Sequence, residues 1–461
     1  MKTVRIEQIE INGIKNILHG SIDLPEYKNI KAGNFEFNSV LGIYGQNGSG
    51  KTTVLEATKI LKNILIGEPL PKDIDRIINN ETDKANIVYT FFIQINNNKK
   101  LVTYEFEIAK INSDKEISYD IIFEKLTSKT YNEEAHKYNR TIVLFKGNQN
   151  SITSKKLAES FTQTQLIELR VAKDIEKGTS LLFNKRNLDI ILDRMEELNS
   201  QEFIDVVLTL RLFALYNLII IENSYIGSAA ISNVSPIITL NIHLQADNTL
   251  CYGRMPLHIF KSNLIEKDIF NNIQTIINQI DVVLHAIIPD LHIKIVNTKE
   301  EMTENGEIGI RFEVASFRND KYIPLWYESE GIKRIISITS ALIAVYNNPS
   351  ICLMIDEFDS GIFEYLLGEI IQVLDETAQG QFIFTSHNLH VLEKLSYKSI
   401  ILTTTNPYNR FIYFNNVKPN NNVRDFYYTS IILGGQKEEL YKETRGYSIR
   451  KAFRKAGHLY E

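Results

Sequence analysis

Residues 41–57 read LGIYGQNGSGKTTVLEA and contain the pattern G-x-x-x-x-G-K-[ST], which runs from Gly45 to Thr52. The apolar run SVLGIY (39–44) predicts a buried strand before this loop, and the spacing of apolar residues over 50–65 predicts a helix after it. In that context glycines let backbone N–H groups converge on phosphate oxygens, next to the positive end of the helix. We expect Lys51 to reach the β- and γ-phosphates of a nucleotide and Thr52 to bind Mg²⁺. The other loop residues expected to contact the nucleotide are Gly45, Asn47, Gly48, Ser49, Gly50 and Thr53.

A second motif lies in SICLMIDEFDSGIF (350–363), where an apolar strand ends in two adjacent carboxylates, Asp356 and Glu357. Ligands of doubly wound sheets bind at the carboxyl ends of the strands. Burying two neighbouring carboxylates at such an end is costly unless a cation or a water network uses them. We therefore expect Asp356 to complete the Mg²⁺ shell and Glu357 to polarise the attacking water.

The composition is that of a soluble globular protein, with 44% hydrophobic and 23% charged residues among 461, a length that predicts two or three units. A net charge of -5 argues against a nucleic-acid binder that uses its whole surface, although a local basic patch stays compatible. Cys251 and Cys352 are expected to be isolated core thiols. The start lacks a signal-peptide pattern, and the apolar run 206–221 is too short to span a bilayer. We interpret that run as a buried helix and expect a cytoplasmic protein.

Periodicity divides the chain into four segments. Residues 1–130 are predicted to hold the P-loop and an antiparallel hairpin formed by IVYTFFIQI and LVTYEFEIA. Residues 131–321 are predicted to be a mainly helical insertion, shaped as a short coiled coil or a lid, that returns through strands. Residues 322–430 alternate strand and helix, which predicts an α/β layer with a largely parallel sheet. Residues 431–461 predict a basic helical tail.

The spacing and several short motifs resemble the SMC, RecF and OLD-like branch of the ABC-class ATPases. Lys51 and Asp356 lie 305 positions apart, and the resemblance covers roughly 1–110 and 322–430. It implies an ABC-type P-loop ATPase head with a mixed sheet, an antiparallel β lobe and a large insertion. The turn in IEINGIKNI would place Lys15 and Asn16 at the nucleotide. TSHN (385–388) would make His387 the γ-phosphate sensor, and DSGIF would make Asp359 the D-loop carboxylate.

The resemblance also implies a degenerate signature motif in ESEGIKRI (328–335). Ser329 and Gly331 precede a predicted helix, so a hydroxyl, free N–H groups and a helix N-terminus would form an anion site. In ABC-type heads this site contacts the γ-phosphate bound to the opposite subunit. Because SEGIK departs from the Leu-Ser-Gly-Gly pattern, a simple N-cap role for Ser329 stays open. Gln94 is the only glutamine between 47 and 148 and would be the Mg²⁺-contacting Q-loop residue; an exposed strand position explains it equally well.

With the resemblance, these motifs imply an ATP- and Mg²⁺-dependent ATPase switch whose copies assemble around ATP as a dimer or a larger ring. Bacterial relatives of this kind act with a separately encoded nuclease or toxin in phage defence, including systems such as PARIS, so a separate effector is expected here. The alternative is a RecF- or SMC-like DNA-repair or DNA-loading ATPase that contacts DNA through a basic face. The chain itself shows no nuclease motif, since Asp73-x-Asp75 lies where a helix is predicted to begin. A membrane partner is not expected.

Overall fold

The computed structural model describes residues 2–37, 40–113, 116–149, 151–222, 237–246, 249–319, 321–415, 417 and 422–457. A six-stranded sheet in the order β19-β18-β3-β17-β16-β9 forms its centre. All neighbouring strands in it are parallel except β19, which runs antiparallel to β18. Its strands are β3 (Val40–Tyr44), β9 (Leu218–Ile221), β16 (Cys352–Ile355), β17 (Gln381–Ser386), β18 (Ile400–Thr403) and β19 (Phe411–Tyr413).

Both faces of this sheet are buried, which explains why its strands are continuous apolar runs in the sequence. Alternate residues enter two different cores: Met354 packs into one cluster, and its neighbours Leu353 and Ile355 pack into the other. Cys352 is a buried free thiol, as predicted, whereas the side chain of Cys251 lies outside the described residues. The α/β fold class expected from the sequence is confirmed.

The helices on the two faces pack against these cores. Helix α2 begins directly at the P-loop, and α9 and α10 flank the strand that carries the two carboxylates. Asp73 is the N-cap residue of α3, so the Asp73-x-Asp75 pair does start a helix. The helices in this part of the chain are α1 (Tyr27–Lys31), α2 (Lys51–Ile66), α3 (Ile74–Ile77), α9 (Glu330–Asn347) and α10 (Glu364–Thr377).

A separate antiparallel lobe of seven strands packs beside α2. The predicted hairpin is β4 and β5, and the lobe continues to Asn148, so the boundary predicted at 130 was too early. Long strands with one buried and one exposed face produce the alternating pattern in this region. The strands are β1 (Lys2–Asn12), β2 (Gly20–Asp23), β4 (Lys84–Ile95), β5 (Asn98–Ser113), β6 (Glu116–Asn132), β7 (Lys137–Tyr138) and β8 (Ile142–Asn148).

A helical segment follows the lobe and leads back into the central sheet. Its helices are α4 (Lys155–Ala158), α5 (Gln163–Ile175), α6 (Lys185–Glu197) and α7 (Gln201–Leu212). The apolar run 206–221, predicted as one buried helix, is instead the end of α7, a π-helical turn (Phe213–Asn217) and strand β9. Periodicity could not separate them, because a short, fully buried strand and a buried helix are both continuously apolar.

The rest of the insertion is more β-rich than the sequence predicted. A two-stranded sheet and a four-stranded sheet accompany the 21-residue helix α8 (Lys267–Ile287). Their strands are β10 (Ile237–Ala246), β11 (Thr249–His258), β12 (Asn263–Glu266), β13 (Leu291–Met302), β14 (Ile308–Arg318) and β15 (Lys321–Pro324). Two further helices, α11 (Val423–Leu433) and α12 (Gly446–Gly457), follow the central sheet. Among the described residues, no helix has the length and apolar character that a membrane span requires.

Candidate active site

The P-loop connects β3 to α2 through a backbone that three glycines make accessible. Gly45, Gly48 and Gly50 have φ values of 155°, 75° and 97°, a region that side chains with a Cβ rarely adopt. A Cβ at Gly45 would also lie 1.7 Å from Thr403 Oγ1, so close packing excludes any larger residue. Gly50 is the N-cap of α2, and the helix N-terminus therefore faces the loop.

Lys51 folds back over this loop. Its Nζ donates to Gly45 O at 2.9 Å and to Gln46 O at 3.0 Å, and only 6% of the residue is exposed. Burial lowers the pKa of Lys51, and the nearby carboxylates of Asp356 and Glu357 oppose that shift. The ammonium is thus held at the loop by carbonyl oxygens, which phosphate oxygens would replace as stronger partners.

Thr403 supports the loop from the neighbouring strand β18. Its hydroxyl lies 2.5 Å from Ser49 Oγ and also donates to Tyr44 O at 3.2 Å. The sequence analysis did not identify this residue, although a threonine at the end of the apolar run KSIILTT offered a signal. Because β18 lies directly beside β3, the strand order places Thr403 under the loop.

Two of the three predicted Mg²⁺ ligands, Thr52 and Asp356, come together. Thr52 Oγ1 donates to both oxygens of Asp356, at 3.0 and 3.2 Å, across 304 positions of sequence. Asp356 is 5% exposed, and its Oδ1 also accepts a bond of 2.6 Å from Thr385 at the end of β17. A hydroxyl and a carboxylate that meet beside a phosphate loop are the oxygen ligands Mg²⁺ prefers. The residues present therefore fit the ion.

Glu357 adopts a left-handed backbone conformation, with φ of 47°. This region is costly for a residue with a Cβ, by about 1–2 kcal/mol. Two contacts hold it: the Glu357 N–H donates to Thr385 Oγ1 at 2.8 Å, and Arg334 donates to Glu357 O at 2.5 Å. Arg334 also donates to Asp356 O at 3.2 Å. A strained, multiply held backbone at this position fixes the direction in which the Glu357 side chain leaves the main chain.

Arg334 belongs to α9, the helix of the predicted signature motif. It is 3% exposed; burial lowers its pKa, and the carboxylates of Asp359, Glu357 and Asp356 oppose the shift. The sequence analysis assigned it no role, because only the folded chain brings position 334 to the end of β16. Arg334 therefore links the signature helix to the carboxylate pair.

The start of α9 has the features predicted for the signature. Ser329 is the N-cap: its side chain accepts a hydrogen bond from the Ile332 N–H, yet the residue itself is exposed. A Cβ at Gly331 would lie 2.1 Å from Gly361 O, so Gly331 packs directly on the loop after Glu357. The structure is thus compatible with both roles considered for Ser329, a simple N-cap and a part of the signature anion site, since an N-cap hydroxyl at an exposed helix N-terminus still faces solvent.

His387 lies where the sequence placed it, after β17. Its backbone N–H donates to Asp359 Oδ2 at 3.2 Å, which joins the predicted sensor to the predicted D-loop carboxylate. Burial lowers the pKa of His387, the charge of Lys51 lowers it further, and the carboxylates nearby oppose the change. The imidazole is therefore neutral at pH 7 and has one ring nitrogen free of a proton to accept a hydrogen bond.

A cavity of about 490 Å³ opens beside the P-loop, on the side of Asn47 and Gly48. Asn16 contacts the loop through a bond from its amide to Gly48 O, and Arg410 donates to Asn16 O at 2.5 Å. Lys15 instead pairs with Glu56 of α2 at 2.5 Å. The size and the polar lining suit the nucleoside part of a nucleotide. The other residues that line this cavity include Gln46, Asn79, Glu81, Thr404, Pro407 and Lys442.

Gln94 does not join this site. It pairs with Thr3 at the start of β1, and its side chain donates to Asn96 O at 3.1 Å. Asn16 follows the other end of β1, and nine residues of extended strand span about 30 Å. The structure thus contradicts a metal-binding role for Gln94, which is a strand side chain.

Glu222 was assigned no role in the sequence analysis. It directly follows β9 beside Asp356, and its side chain accepts a hydrogen bond from Lys59 at 2.8 Å.

Comparisons with known proteins find one matching family model and several similar solved structures. A family model described as an AAA ATPase domain matches residues 5–392. Similar solved structures include an Smc head bound to the C-winged helix domain of ScpA, which is 12% identical over 89% of this chain and 98% of that chain, with a TM-score of 0.44. The SMC head domain from Thermotoga maritima is 12% identical over 89% and 99%, with a TM-score of 0.34. The recombination mediator RecF with ATP is 12% identical over 84% and 94%, with a TM-score of 0.35.

No curated protein matches the sequence. Because each of those TM-scores is below 0.5, the fold assignment rests on the strand order and the site geometry described above. The family model, in contrast, spans most of the chain and includes the P-loop, the signature helix, both carboxylates and His387. The chain therefore belongs to the AAA ATPase domain family.

Proposed function

We propose that the protein is a Mg²⁺-dependent ATPase in which two copies enclose ATP between the P-loop of one and the α9 N-terminus of the other. The observation that carries this proposal is the contact of Arg334 with the carbonyl oxygens of Asp356 and Glu357. Through this contact, helix α9 has two functions. Its N-terminus would bind the second copy's γ-phosphate, and its Arg334 fixes the backbone of Glu357.

The roles of the residues follow from their positions. Bound Mg²⁺ would neutralise charge on the β- and γ-phosphate oxygens. Lys51 binds those oxygens, while Thr52 and Asp356 would supply oxygen ligands to the Mg²⁺. Glu357 orients the attacking water, and neutral His387 accepts a hydrogen bond from it or contacts the γ-phosphate through its N–H. Ser329 and Gly331 supply an exposed helix N-terminus, which stabilises negative charge.

Glu357→Gln tests the catalytic assignment and the assembly together. We expect hydrolysis to fall at least about 100-fold, because the amide attracts the proton of water far more weakly than a carboxylate. ATP should still bind, and the mass measured by mass photometry in ATP and Mg²⁺ should double. Unchanged hydrolysis would overturn the role of Glu357. A monomeric mass in ATP would overturn the two-copy site.

Ser329 provides a matched pair of variants for the assembly. Ser329→Glu places a negative charge where the γ-phosphate would bind, so ATP-dependent dimerisation should be lost while each copy still binds ATP. Ser329→Thr keeps an N-cap hydroxyl and should dimerise normally. Ser329→Glu also loses the N-cap hydroxyl, a cost of about 1 kcal/mol, so its melting temperature should lie no more than a few degrees below that of Ser329→Thr. Equal dimerisation of the two variants would contradict the composite site.

We further propose that the assembled heads regulate a separately encoded effector in defence against phage. The support is the resemblance described above. Co-expression with the product of the neighbouring gene tests this proposal. ATP-dependent co-purification and release on hydrolysis are expected. An effector that binds equally to Glu357→Gln and to wild type in every nucleotide state would contradict it.

A DNA-loading ATPase is the competing proposal, and the composition of α12 favours it. This helix carries Arg450, Lys451, Arg454 and Lys455 with no acidic residue. Duplex binding that strengthens with ATP and weakens steeply as salt rises would support it. If the protein binds no duplex DNA at 50 mM salt in any nucleotide state, the DNA-loading proposal is excluded.

A further inference from the structure

A wide apolar groove lies between α8, α9 and α10, apart from the nucleotide cavity. Its volume is about 940 Å³, and its lining includes Val282, Tyr346, Phe363 and Val373. Val282 and Phe363 are each 72% exposed. Large apolar side chains exposed together in a groove mark an interaction site, because isolated ones are common but contiguous patches are not.

Helix α12 carries a second unpaired apolar face. Ile449, Ala452, Phe453 and Ala456 recur at i, i+3, i+4 and i+7, the spacing that places residues on one side of a helix. Every described residue of α12 is exposed, and Phe453 is 76% exposed. The helix therefore does not occupy the groove of its own chain.

The two surfaces have opposite charge. Helix α10, which forms one wall of the groove, contains four acidic residues and no basic one; Glu369 lines the groove itself and pairs with Lys394 at 3.3 Å. Helix α12 contains four basic residues and no acidic one. Their lengths also agree: the 12 residues of α12 span about 18 Å, and the wall from 363 to 374 spans a similar distance. The charged residues are Glu364, Glu369, Asp375 and Glu376 on α10 and Arg450, Lys451, Arg454 and Lys455 on α12.

We propose that α12 of one copy docks into the α8–α9–α10 groove of a second copy. The apolar face of α12 covers the groove, as in other helix-in-groove complexes, and one of the two basic residues that border this face, Arg450 or Lys455, lies towards the acidic wall. This contact uses neither the P-loop nor the carboxylate pair, so it forms without nucleotide. Combined with ATP-dependent pairing through the P-loops, it would extend dimers into a larger ring.

Photo-crosslinking tests which copy receives α12. The full-length protein carries p-benzoylphenylalanine at position 453, and equal amounts of ¹⁵N-labelled and unlabelled protein are mixed, without nucleotide, before illumination. Crosslinks to 279–287 or 363–374 that join one labelled and one unlabelled peptide are expected. Crosslinks only between peptides of the same label would show docking within one chain, and crosslinks outside the groove would show another site; either result overturns the proposal.

Two equally exposed aromatic residues provide a matched pair for measuring the contact. Phe453 lies on the apolar face and Tyr447 on the basic face, and each is 76% exposed, so neither substitution threatens folding. Phe453→Ser should weaken nucleotide-free self-association by about 10- to 30-fold, as truncation of a central aromatic anchor does. Tyr447→Ser should change it less than 3-fold. Equal effects of the two variants would overturn the docked orientation.

The groove side is tested independently of ATP. Val282→Ser should also weaken self-association, and the double variant with Phe453→Ser should be little weaker than either single variant, because both remove the same contact. Added 30-base-pair duplex DNA should leave the crosslinks unchanged; their loss to DNA would show that α12 binds nucleic acid instead. If Glu357→Gln fails to dimerise in ATP but these results hold, the proposed ATP sandwich fails and the docking contact stands.

Discussion

Thr385 is the side chain that contacts both neighbouring carboxylate residues, Asp356 and Glu357. It is fully buried at the end of β17, donates to Asp356 Oδ1 at 2.6 Å and accepts from the Glu357 N–H at 2.8 Å. Thr385→Val keeps the shape of the side chain and removes only the hydroxyl. We expect the variant to fold and to bind ATP, but to hydrolyse it slowly.

The expected loss of hydrolysis in Thr385→Val follows from which hydrogen-bonding group is left without a partner. Asp356 retains the bonds from Thr52, whereas the variant removes the hydroxyl that Glu357 N–H donates to. A buried polar group without a partner costs about 1–3 kcal/mol, and the left-handed conformation at Glu357 then relaxes more easily. If about 2 kcal/mol of this appears as misplacement of the carboxylate in the transition state, hydrolysis falls roughly 30-fold.

Single-turnover hydrolysis at saturating ATP measures this loss, with nucleotide affinity measured separately. Thr385→Ser is the control, since it keeps the hydroxyl and should stay within about 3-fold of wild type. The melting temperature should fall by only a few degrees in Thr385→Val, because one hydrogen bond is a small part of the total stability. Hydrolysis by Thr385→Val within 2-fold of wild type, or an equal loss in Thr385→Ser, would refute this account of Glu357.

Three further substitutions test other parts of the structure. Arg334→Met removes the donor to Glu357 O and should lower hydrolysis about 100-fold while ATP affinity changes less than 3-fold, as steady-state kinetics and binding titration would show. Gly331→Ala places a Cβ 2.1 Å from Gly361 O, so we expect about 1–3 kcal/mol of lost stability in urea unfolding and a loss of ATP-dependent dimerisation. Burial, with a smaller contribution from a neighbouring carboxylate, raises the pKa of Asp375 to about 6. Between about pH 4 and 6 the unfolded chain therefore loses a proton that the folded chain keeps, and stability falls as pH rises. Because Asp375 is only partly buried and solvent screens its charge, Asp375→Asn should add only about 1–2 kcal/mol to the free energy of unfolding at pH 7.5, and clearly less at pH 4.5.

The sequence predicted the parts of the site that a local pattern defines. The P-loop needs glycines at fixed positions between a strand and a helix, and the Asp356–Glu357 pair needs an apolar strand before it. Both motifs can therefore be recognised from about fifteen consecutive residues. Their meeting through Thr52 was predicted from the chemistry that each motif implies.

The missed residues are those whose roles depend on neighbours distant in the chain. Thr385, Thr403 and Arg334 act through strand order and helix packing, and no local pattern distinguishes a supporting hydroxyl or a buried arginine from an ordinary one. The metal-binding role predicted for Gln94 was wrong for the same reason, because the position of Gln94 along β4 decides its distance from the P-loop. Strand β9 was hidden in an apolar run that suits a helix equally well.

The contacts of α9 connect assembly and hydrolysis without any additional moving part. Gly331, at the N-terminus of α9, packs against Gly361 of the loop that follows Glu357, and Arg334, one turn later, binds the carbonyl of Glu357 itself. Since a helix turn moves as a unit, a γ-phosphate bound at the N-terminus of α9 would restrain both contacts at once. The strained backbone at Glu357 has its lowest cost when they are held. On the proposed two-copy site, the second copy therefore stabilises the catalytic conformation of the first copy's Glu357, and hydrolysis by an isolated copy should be slow even with ATP fully bound.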